Sequence, residues 1–246
     1  MKMLAAIVLI VASVAAEPPI IRVDHVIVAM PSVEETKRLH RIFTATLGLP
    51  TAWPVQDYGS FASGGVHLGN LNLELMVSPK AEPHTIVGLA FEPRDTGKAY
   101  EELRKRGLKV VEEASFLGPG SDGVKTELWR NAALPQLKNE NVEMFLCKYD
   151  SKWIAPYAAH WQGAMAESRG GVAGVIGVSE IEIMLPQPQR RWLASLIEPE
   201  NTAAFHPRLK IVDGRTFQVL SLVVKCRAPE KADGVLPEKL AVKFSR

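Results

Sequence analysis

The chain has 246 residues, of which 47% are hydrophobic and 23% are charged, and its formal net charge is +2. These values are ordinary for a globular protein and exclude a disordered or fibrous chain. The basic residues are scattered among acidic ones instead of forming a stripe, so a nucleic-acid partner is not expected.

The N-terminal segment differs from the rest of the chain. Lys2 provides a positive start, Met3 to Val14 is apolar, and small residues end the segment at Ala16. This pattern predicts a secretory signal peptide over residues 1–16, which is too short to anchor the protein in a membrane. We therefore expect a mature protein that begins near Glu17, has no membrane anchor, and is periplasmic or secreted.

The first predicted unit, residues 20–79, opens with an apolar strand from Val23 to Pro31. Side chains alternate between the two faces of a strand, so His25 shares one face with Ile27. A histidine on an apolar strand is either a hydrogen-bonded core residue or a metal ligand or acid/base group.

A helix and further strands complete this unit. Ser32 and Glu35 form a capping pair that predicts a helix ending at Gly48. Leu71 to Val77 then alternates apolar and polar residues and places Glu74 on the face opposite the leucines. The unit therefore has the order strand, helix, and two or three strands.

A second unit of the same order is predicted over residues 84–150. It begins with the strand Ile86 to Pro93, and its last strand carries Glu143 at the place that Glu74 holds in the first unit. Two units of this kind in tandem predict an internal repeat.

The remaining segments are predicted to connect or cover these units. Residues 151–177 are aromatic and then rich in Gly and Ala, and we expect an irregular linker. Residues 178–226 form a third, degenerate unit, which pairs either with another subunit or with the exposed edge of the first two. Residues 227–246 are expected to form a peripheral tail.

The two cysteines, Cys147 and Cys226, leave two interpretations open. They form one disulfide or they are two buried thiols, because pairing cannot be deduced from sequence. No second cysteine or histidine is close to either in sequence, so neither is predicted to bind a metal.

Together these segments resemble the vicinal oxygen chelate superfamily, which includes glyoxalases, bleomycin resistance proteins and extradiol dioxygenases. The resemblance rests on five segments: Asp24-His25-Val26, the helix Ser32 to Gly48, and the strands Asn72 to Leu75, Gly88 to Glu92 and Val142 to Met144. It implies an α+β fold in which tandem βαβββ modules pair into a curved mixed sheet around a cleft, with a third partial module.

The resemblance also implies a metal site. Members of this family typically hold a divalent metal with the first and last strands of two paired modules. Matched residue by residue, His25, Glu74 and Glu143 are the implied ligands. The usual third ligand is missing, because Gly88 stands at its position.

Two other histidines are candidate substitutes for the missing ligand. His84 would need the chain to bend back sharply, whereas His67 comes from a neighbouring strand and is a slightly better candidate.

One imidazole and two carboxylates suit Mn²⁺, Fe²⁺, Ni²⁺, Zn²⁺ or Mg²⁺. Such a metal would stabilise an enolate-like charge on a small oxygenated substrate. Glu74 or Glu143 would then act catalytically by exchanging between ligand and general base. A protein without a metal is equally compatible with these residues.

Aromatic residues predict a binding pocket. Trp53, Tyr58, Phe61 and Trp129 are expected to line it together with His67, and this composition suits a small, partly apolar ligand.

Three functions follow from these observations. The leading one is a secreted, divalent-metal-dependent enzyme of the lyase or isomerase type, and a homodimer is one expected assembly. Glutathione-dependent chemistry is disfavoured, because that thiol belongs to the cytosol. The alternatives are a metal-free protein that binds or sequesters a small molecule, and a scaffold whose site has decayed.

Overall fold

A computed structural model describes residues 18–119, 124–197 and 207–246. The predicted signal peptide, residues 1–16, therefore lies outside the described residues. The described chain forms one 12-stranded mixed sheet with helices packed against it, which confirms the α+β prediction. Among the described helices, none combines the length and apolar character needed to cross a membrane.

The described residues form twelve strands and four α-helices. The strands are β1 (Ile20–Met30), β2 (Thr51–Asp57), β3 (Ala62–His67), β4 (Asn72–Val77), β5 (Ile86–Pro93), β6 (Val111–Pro119), β7 (Lys125–Lys138), β8 (Glu143–Tyr149), β9 (Val175–Leu185), β10 (Arg208–Asp213), β11 (Gln218–Cys226) and β12 (Val242–Ser245). The helices are α1 (Val33–Arg41), α2 (Thr96–Lys105), α3 (Ser151–Glu167) and α4 (Gln187–Ile197).

The first two modules have the expected topology. In the first, β1 pairs in parallel with β4, and β3 and β2 follow as antiparallel neighbours. In the second, β5 pairs in parallel with β8, and β7 and β6 follow. Antiparallel pairing of β1 with β5 joins the two modules into a continuous sheet.

The alternation of β1 separates the core from the opposite face. Val26 and Val28 are fully buried in the hydrophobic core, to which Leu39 of α1 also belongs. His25 and Ile27 line a cavity on the other face. Burying an aliphatic side chain of this size contributes about 1.5–3 kcal/mol, so the apolar face fixes the register that points His25 into the cavity.

Helix α1 begins as predicted, but only one half of the capping pair forms. The Ser32 hydroxyl accepts a hydrogen bond from the Glu35 backbone N–H at 3.2 Å. The Glu35 carboxylate binds Arg38 instead of returning to the Ser32 backbone. The π-helical turn Ile42–Thr46 then extends the helix toward Gly48.

The third predicted unit is organised differently. Strand β9 pairs in parallel with β10 and antiparallel with β11, and β11 pairs in parallel with β12. This is the pairing pattern of β1 with β4 and β5, and of β5 with β8. Strand β11 therefore pairs as an opening strand such as β5 does, and not as the last strand of a module.

The third unit covers the edge of the first two within the same chain. Val219 of β11 pairs with Ile86 of β5. The predicted tail is also part of the sheet, since β12 lies within residues 227–246.

Residues 151–177 were predicted to form an irregular linker. This prediction is wrong over most of that length, because Ser151–Glu167 forms the helix α3. The Asp150 side chain caps it by accepting a hydrogen bond from the Trp153 backbone N–H at 2.9 Å. Pro156 lies inside the helix and is tolerated there.

Candidate functional site

A cavity of about 820 Å³ lies on the face of the sheet that carries His25 and Glu74. Four of the five tryptophans of the chain line it, together with several tyrosines and phenylalanines. Large aromatic side chains with a few polar groups are typical of sites for small organic molecules.

The first wall comes from β2 and β3. Trp53, Tyr58 and Phe61 line the cavity here, as predicted from sequence. The rings of Tyr58 and Phe61 stack with their centroids 4.9 Å apart. The Trp53 indole N–H donates a hydrogen bond to the Ser63 hydroxyl at 3.3 Å, which orients the ring.

The second wall comes from β6, β7 and β8. Trp129, which was also predicted, stacks on Phe116 with centroids 4.0 Å apart. Phe116 in turn contacts Tyr58 edge-on at 6.1 Å, so the first two walls meet. Tyr149 continues the second wall toward the floor of the cavity.

The third wall is one face of α3, which was not predicted from the sequence. Trp153, Tyr157 and Trp161 are spaced by four residues, so they lie on the same side of the helix. All three line the cavity. The Trp161 indole N–H donates to the Ala52 carbonyl at 2.9 Å and thereby holds α3 against β2.

The floor contains a chain of hydrogen bonds centred on Asp24. His25 Nδ1–H donates to Asp24 Oδ2 at 2.6 Å, and the Tyr149 hydroxyl donates to the same oxygen at 3.1 Å. His25 Nε2 lies 3.5 Å from Glu74 Oε2. Asp24, His25 and Glu74 are nearly inaccessible to solvent, so water screens the interactions between their charges only weakly.

The electrostatics follow from this arrangement. Burial by itself would lower the pKa of His25, but the hydrogen bond to Asp24 and the charges of Asp24 and Glu74 raise it above the ordinary value. Burial would raise the pKa of Asp24, but His25, Arg22 and Tyr149 together lower it. The floor therefore favours an imidazolium between carboxylates.

The predicted ligands do not all meet. His25 and Glu74 are brought together, whereas Glu143 forms an ion pair with Lys138. Glu143 lines the cavity, but among the described residues it does not lie within 4.8 Å of both other ligand atoms.

The position of the missing third ligand is filled by an apolar side chain. A Cβ atom placed on Gly88 would lie 2.8 Å from Cδ1 of Ile27. Ile27, Gly88 and Glu143 are neighbours across β1, β5 and β8. Ile27 therefore occupies the space between the two halves of the predicted metal site.

The fit to a divalent metal is thus incomplete. His25 Nε2 and Glu74 are close enough to share an ion, and a carboxylate behind a histidine, as Asp24 is, is the usual support of a metal-ligating imidazole. Glu143, however, is held by Lys138, and Ile27 stands where a further ligand would project. The three-ligand set therefore does not fit a resident metal in this arrangement.

Cys147 is a neighbour of His25 that sequence spacing did not reveal. Of the described His, Cys, Asp and Glu side chains, one group of three has all its ligand atoms within 4.8 Å of one another, and it consists of Asp24, His25 and Cys147. Burial raises the pKa of the Cys147 thiol well above its usual range, so the thiol stays protonated. Both Cys147 and Cys226 are free and buried, which favours the two-thiol interpretation.

The structure places neither substitute histidine at the site. His67 Nδ1–H donates to Asn72 Oδ1 at 2.8 Å, and its ring stacks against Trp161 at 5.7 Å. His67 lies outside the described lining of the aromatic cavity, and its role in substrate binding stays a prediction. His84 lies 3.3 Å from Glu35 of α1.

Comparison with known proteins agrees with this fold. Residues 22–118 match the family model of the Glyoxalase/Bleomycin resistance protein/Dioxygenase superfamily. No curated protein matches the sequence.

Several solved structures are similar over most of the chain. A hypothetical protein from Staphylococcus aureus has a TM-score of 0.59 at 11% identity, covering 91% of this chain and 98% of that one. An extradiol ring-cleaving dioxygenase from B. fuscum has a TM-score of 0.55 at 11% identity, covering 90% of this chain and 62% of that one. Homoprotocatechuate 2,3-dioxygenase from Arthrobacter globiformis has a TM-score of 0.52 at 9% identity, covering 89% and 67%. At these identities the likeness establishes the fold.

Proposed function

Because residues 22–118 match the family model of the Glyoxalase/Bleomycin resistance protein/Dioxygenase superfamily, we propose that the protein binds a small organic molecule in its aromatic cavity. The observation that carries the proposal is the enclosure of one cavity by aromatic walls from β2–β3, β6–β8 and α3. Rigid aromatic side chains supply much contact area at little conformational cost, so such walls favour binding of a flat, apolar compound.

The metal-free binding interpretation gains support over the leading sequence-based one. Lys138 neutralises Glu143, and Ile27 blocks the position above Gly88. His25 and Glu74 remain as polar groups that orient a ligand at the floor. We also propose that the protein is exported, on the strength of its N-terminal sequence, and that the mature chain begins near Glu17.

Ligand binding tests this proposal. We expect flat aromatic compounds to raise the thermal stability of the protein and to quench tryptophan fluorescence. Replacing Trp129 by Leu should weaken binding at least about tenfold, because truncating an aromatic anchor costs roughly 2 kcal/mol or more. Trp192→Leu is the matched control, since Trp192 lies on α4 outside the described cavity lining.

Two results would overturn the proposal. One is the absence of any stabilising compound in a screen of flat aromatic molecules. The other is an equal loss of affinity in Trp129→Leu and Trp192→Leu, which would place the ligand elsewhere.

A metal-dependent enzyme is the second candidate, and the pairing of His25 Nε2 with Glu74 Oε2 at 3.5 Å favours it. Elemental analysis of the purified protein tests it. The candidate stands if a divalent metal is present at about one equivalent and is lost in both His25→Ala and Glu74→Ala. It is rejected if the wild-type protein carries no metal and binds none after addition of Mn²⁺, Fe²⁺, Ni²⁺, Zn²⁺ or Mg²⁺.

A further inference from the structure

The charged groups that line the cavity are all acidic, apart from His25. Among the described lining residues, Glu74 and Glu143 carry carboxylates, and none is lysine or arginine. Lys138 neutralises Glu143 from outside this lining. Glu74 is therefore the acid whose charge faces a ligand.

Taken by themselves, the three groups Asp24, His25 and Glu74 carry a net negative charge in either protonation state of the histidine. With His25 protonated, the charges of Asp24, His25 and Glu74 sum to minus one, and with His25 neutral they sum to minus two. Arg22 lies 3.8 Å from Asp24 and 2.8 Å from Glu92, and Lys148 lies 3.6 Å from Glu92. These two cations offset Asp24 and Glu92 from outside the described lining, so Glu74, accompanied by His25, is the carboxylate that the floor presents to the cavity.

Aromatic walls stand next to this acidic floor. The charge of Glu74 raises the pKa of the Tyr58 hydroxyl, after the larger effect of burial, so that ring lies within electrostatic reach of the carboxylate. The rings of Trp129 and Trp153 lie 5.9 Å apart above the same cavity. Aromatic rings attract cations through their quadrupoles, and the attraction strengthens where water is excluded.

We propose that the preferred ligand of this cavity is an organic cation, a flat aromatic compound that carries a positive charge on or beside its ring. This inference rests on the proposed function and specifies its ligand class. The aromatic walls bind the ring, and the Glu74 carboxylate balances the charge. An aromatic anion is disfavoured, because Glu74 repels it and the described lining offers it no lysine or arginine.

Three probes of similar shape test the charge preference. N-methylquinolinium is a cation, 1-methylnaphthalene is its uncharged isostere, and 1-naphthoate is an anion. Their dissociation constants for the full-length mature protein are measured by tryptophan quenching. We expect the cation to bind at least tenfold more tightly than the neutral probe, and the anion to bind most weakly.

Matched variants locate the charge that creates the preference. Glu74→Gln should reduce the ratio of neutral to cation dissociation constants to near one. Glu182→Gln is the control, because Glu182 is a carboxylate on β9 that already pairs with Lys210. Tyr157 is 45% exposed, so Tyr157→Leu should keep the fold. This variant should weaken binding of the cation more than binding of the neutral probe.

The outcomes separate this inference from the proposed function. Equal binding of cation and neutral probe, or tighter binding of the anion, overturns the inference while the binding cavity stands. An equal effect of Glu74→Gln and Glu182→Gln on the ratio also overturns it. If none of the three probes binds, both the inference and the proposed function fail.

Discussion

The two halves of the sheet share a pairing pattern but differ at equivalent positions. Pro31 follows β1 and Pro186 follows β9. Counted back from these prolines, Ile27 and Glu182 stand at equivalent positions. Their partners on the neighbouring parallel strands, Glu74 and Lys210, are therefore equivalent as well. Glu182 contacts Lys210 at 2.8 Å, so the two charges cancel in the second half. In the first half Ile27 brings no charge, and His25 is the ion-pair partner of Glu74 among the described residues.

A third pair of positions sharpens this difference. Gly88 of β5 is equivalent to Ser221 of β11, whose hydroxyl donates to Glu182 at 3.3 Å. The second half thus forms a self-satisfied polar cluster. The first half combines an acidic floor with an apolar Ile27 and a cover from α3. Shared strand pairing therefore supplies equivalent positions, whereas a histidine–carboxylate pair that faces a cavity and an added helix create the candidate site.

Breaking the buried Asp24–His25 pair should produce the largest change in the free energy of unfolding. Asp24→Asn removes the charge that holds His25 and should lower the free energy of unfolding by about 3 kcal/mol at pH 6, because it leaves a buried cation without its partner. Lys210→Met, which breaks the more exposed Glu182–Lys210 pair of the second half, should produce a change near the error of the measurement. Urea unfolding of both variants is the test, and equal losses would contradict the difference between the two halves.

The second-largest expected change in stability comes from a substitution at Gly88. Gly88→Ala should cost about 1–3 kcal/mol of stability, because the new methyl group would overlap the side chain of Ile27. Ile27→Val should relieve part of this cost when the two changes are combined. Unfolding of both single variants and the double variant measures the coupling, and strictly additive losses would show that Ile27 does not fill the space above residue 88.

Histidine titration gives a third distinction. The pKa of His25 is raised above its ordinary value of 6.5, whereas burial lowers the pKa of His67 below the same value. The stabilisation from His25 is therefore complete below about pH 6.5 and is lost as the pH rises through the folded-state pKa. For His67 the sign is opposite, since stability is lost as the pH falls below about 6.5.

NMR of the imidazole ring protons checks both signs. His25→Gln and His67→Gln assign the signals and serve as controls for each other. If His25 titrates at a lower pH than His67, the floor does not hold an imidazolium.

Removing the ion-pair partner of Glu143 should produce the smallest change in stability. Lys138→Met removes a half-exposed partner of Glu143 and should change stability by at most about 1 kcal/mol. Freed from Lys138, Glu143 should add negative charge to the cavity and increase the preference for N-methylquinolinium over 1-methylnaphthalene. A decrease in that preference would show that Glu143 does not act on a ligand.

The modular fold and much of the cavity could be predicted from the sequence, because they depend on local alternation. Apolar residues on one face of β1 and β4 determine that His25 and Glu74 share the other. The aromatic residues Trp53, Tyr58, Phe61 and Trp129 were predicted from composition to line a pocket, and all four line the cavity. This part required strand periodicity, the resemblance of the modules and the clustering of aromatic residues.

The missed features depend on contacts between distant segments. Trp153, Tyr157 and Trp161 have helical spacing, but Pro156 and the mixed composition around them concealed α3. Cys147 reaches His25 only through the pairing of β8, β5 and β1.

The short strands β10 and β12 were also missed. Arg208–Asp213 mixes charged and apolar residues, and Val242–Ser245 has only four residues, so neither carries a strong strand signal.

Binding of a small organic molecule without a resident metal is the property on which the proposed function depends. Its most direct test is the affinity of N-methylquinolinium for the mature protein before and after treatment with EDTA, with the metal content measured in both samples. We predict the same dissociation constant in both samples and a loss of binding in Trp129→Leu. Binding that disappears with the metal and returns when one equivalent is restored would contradict this function.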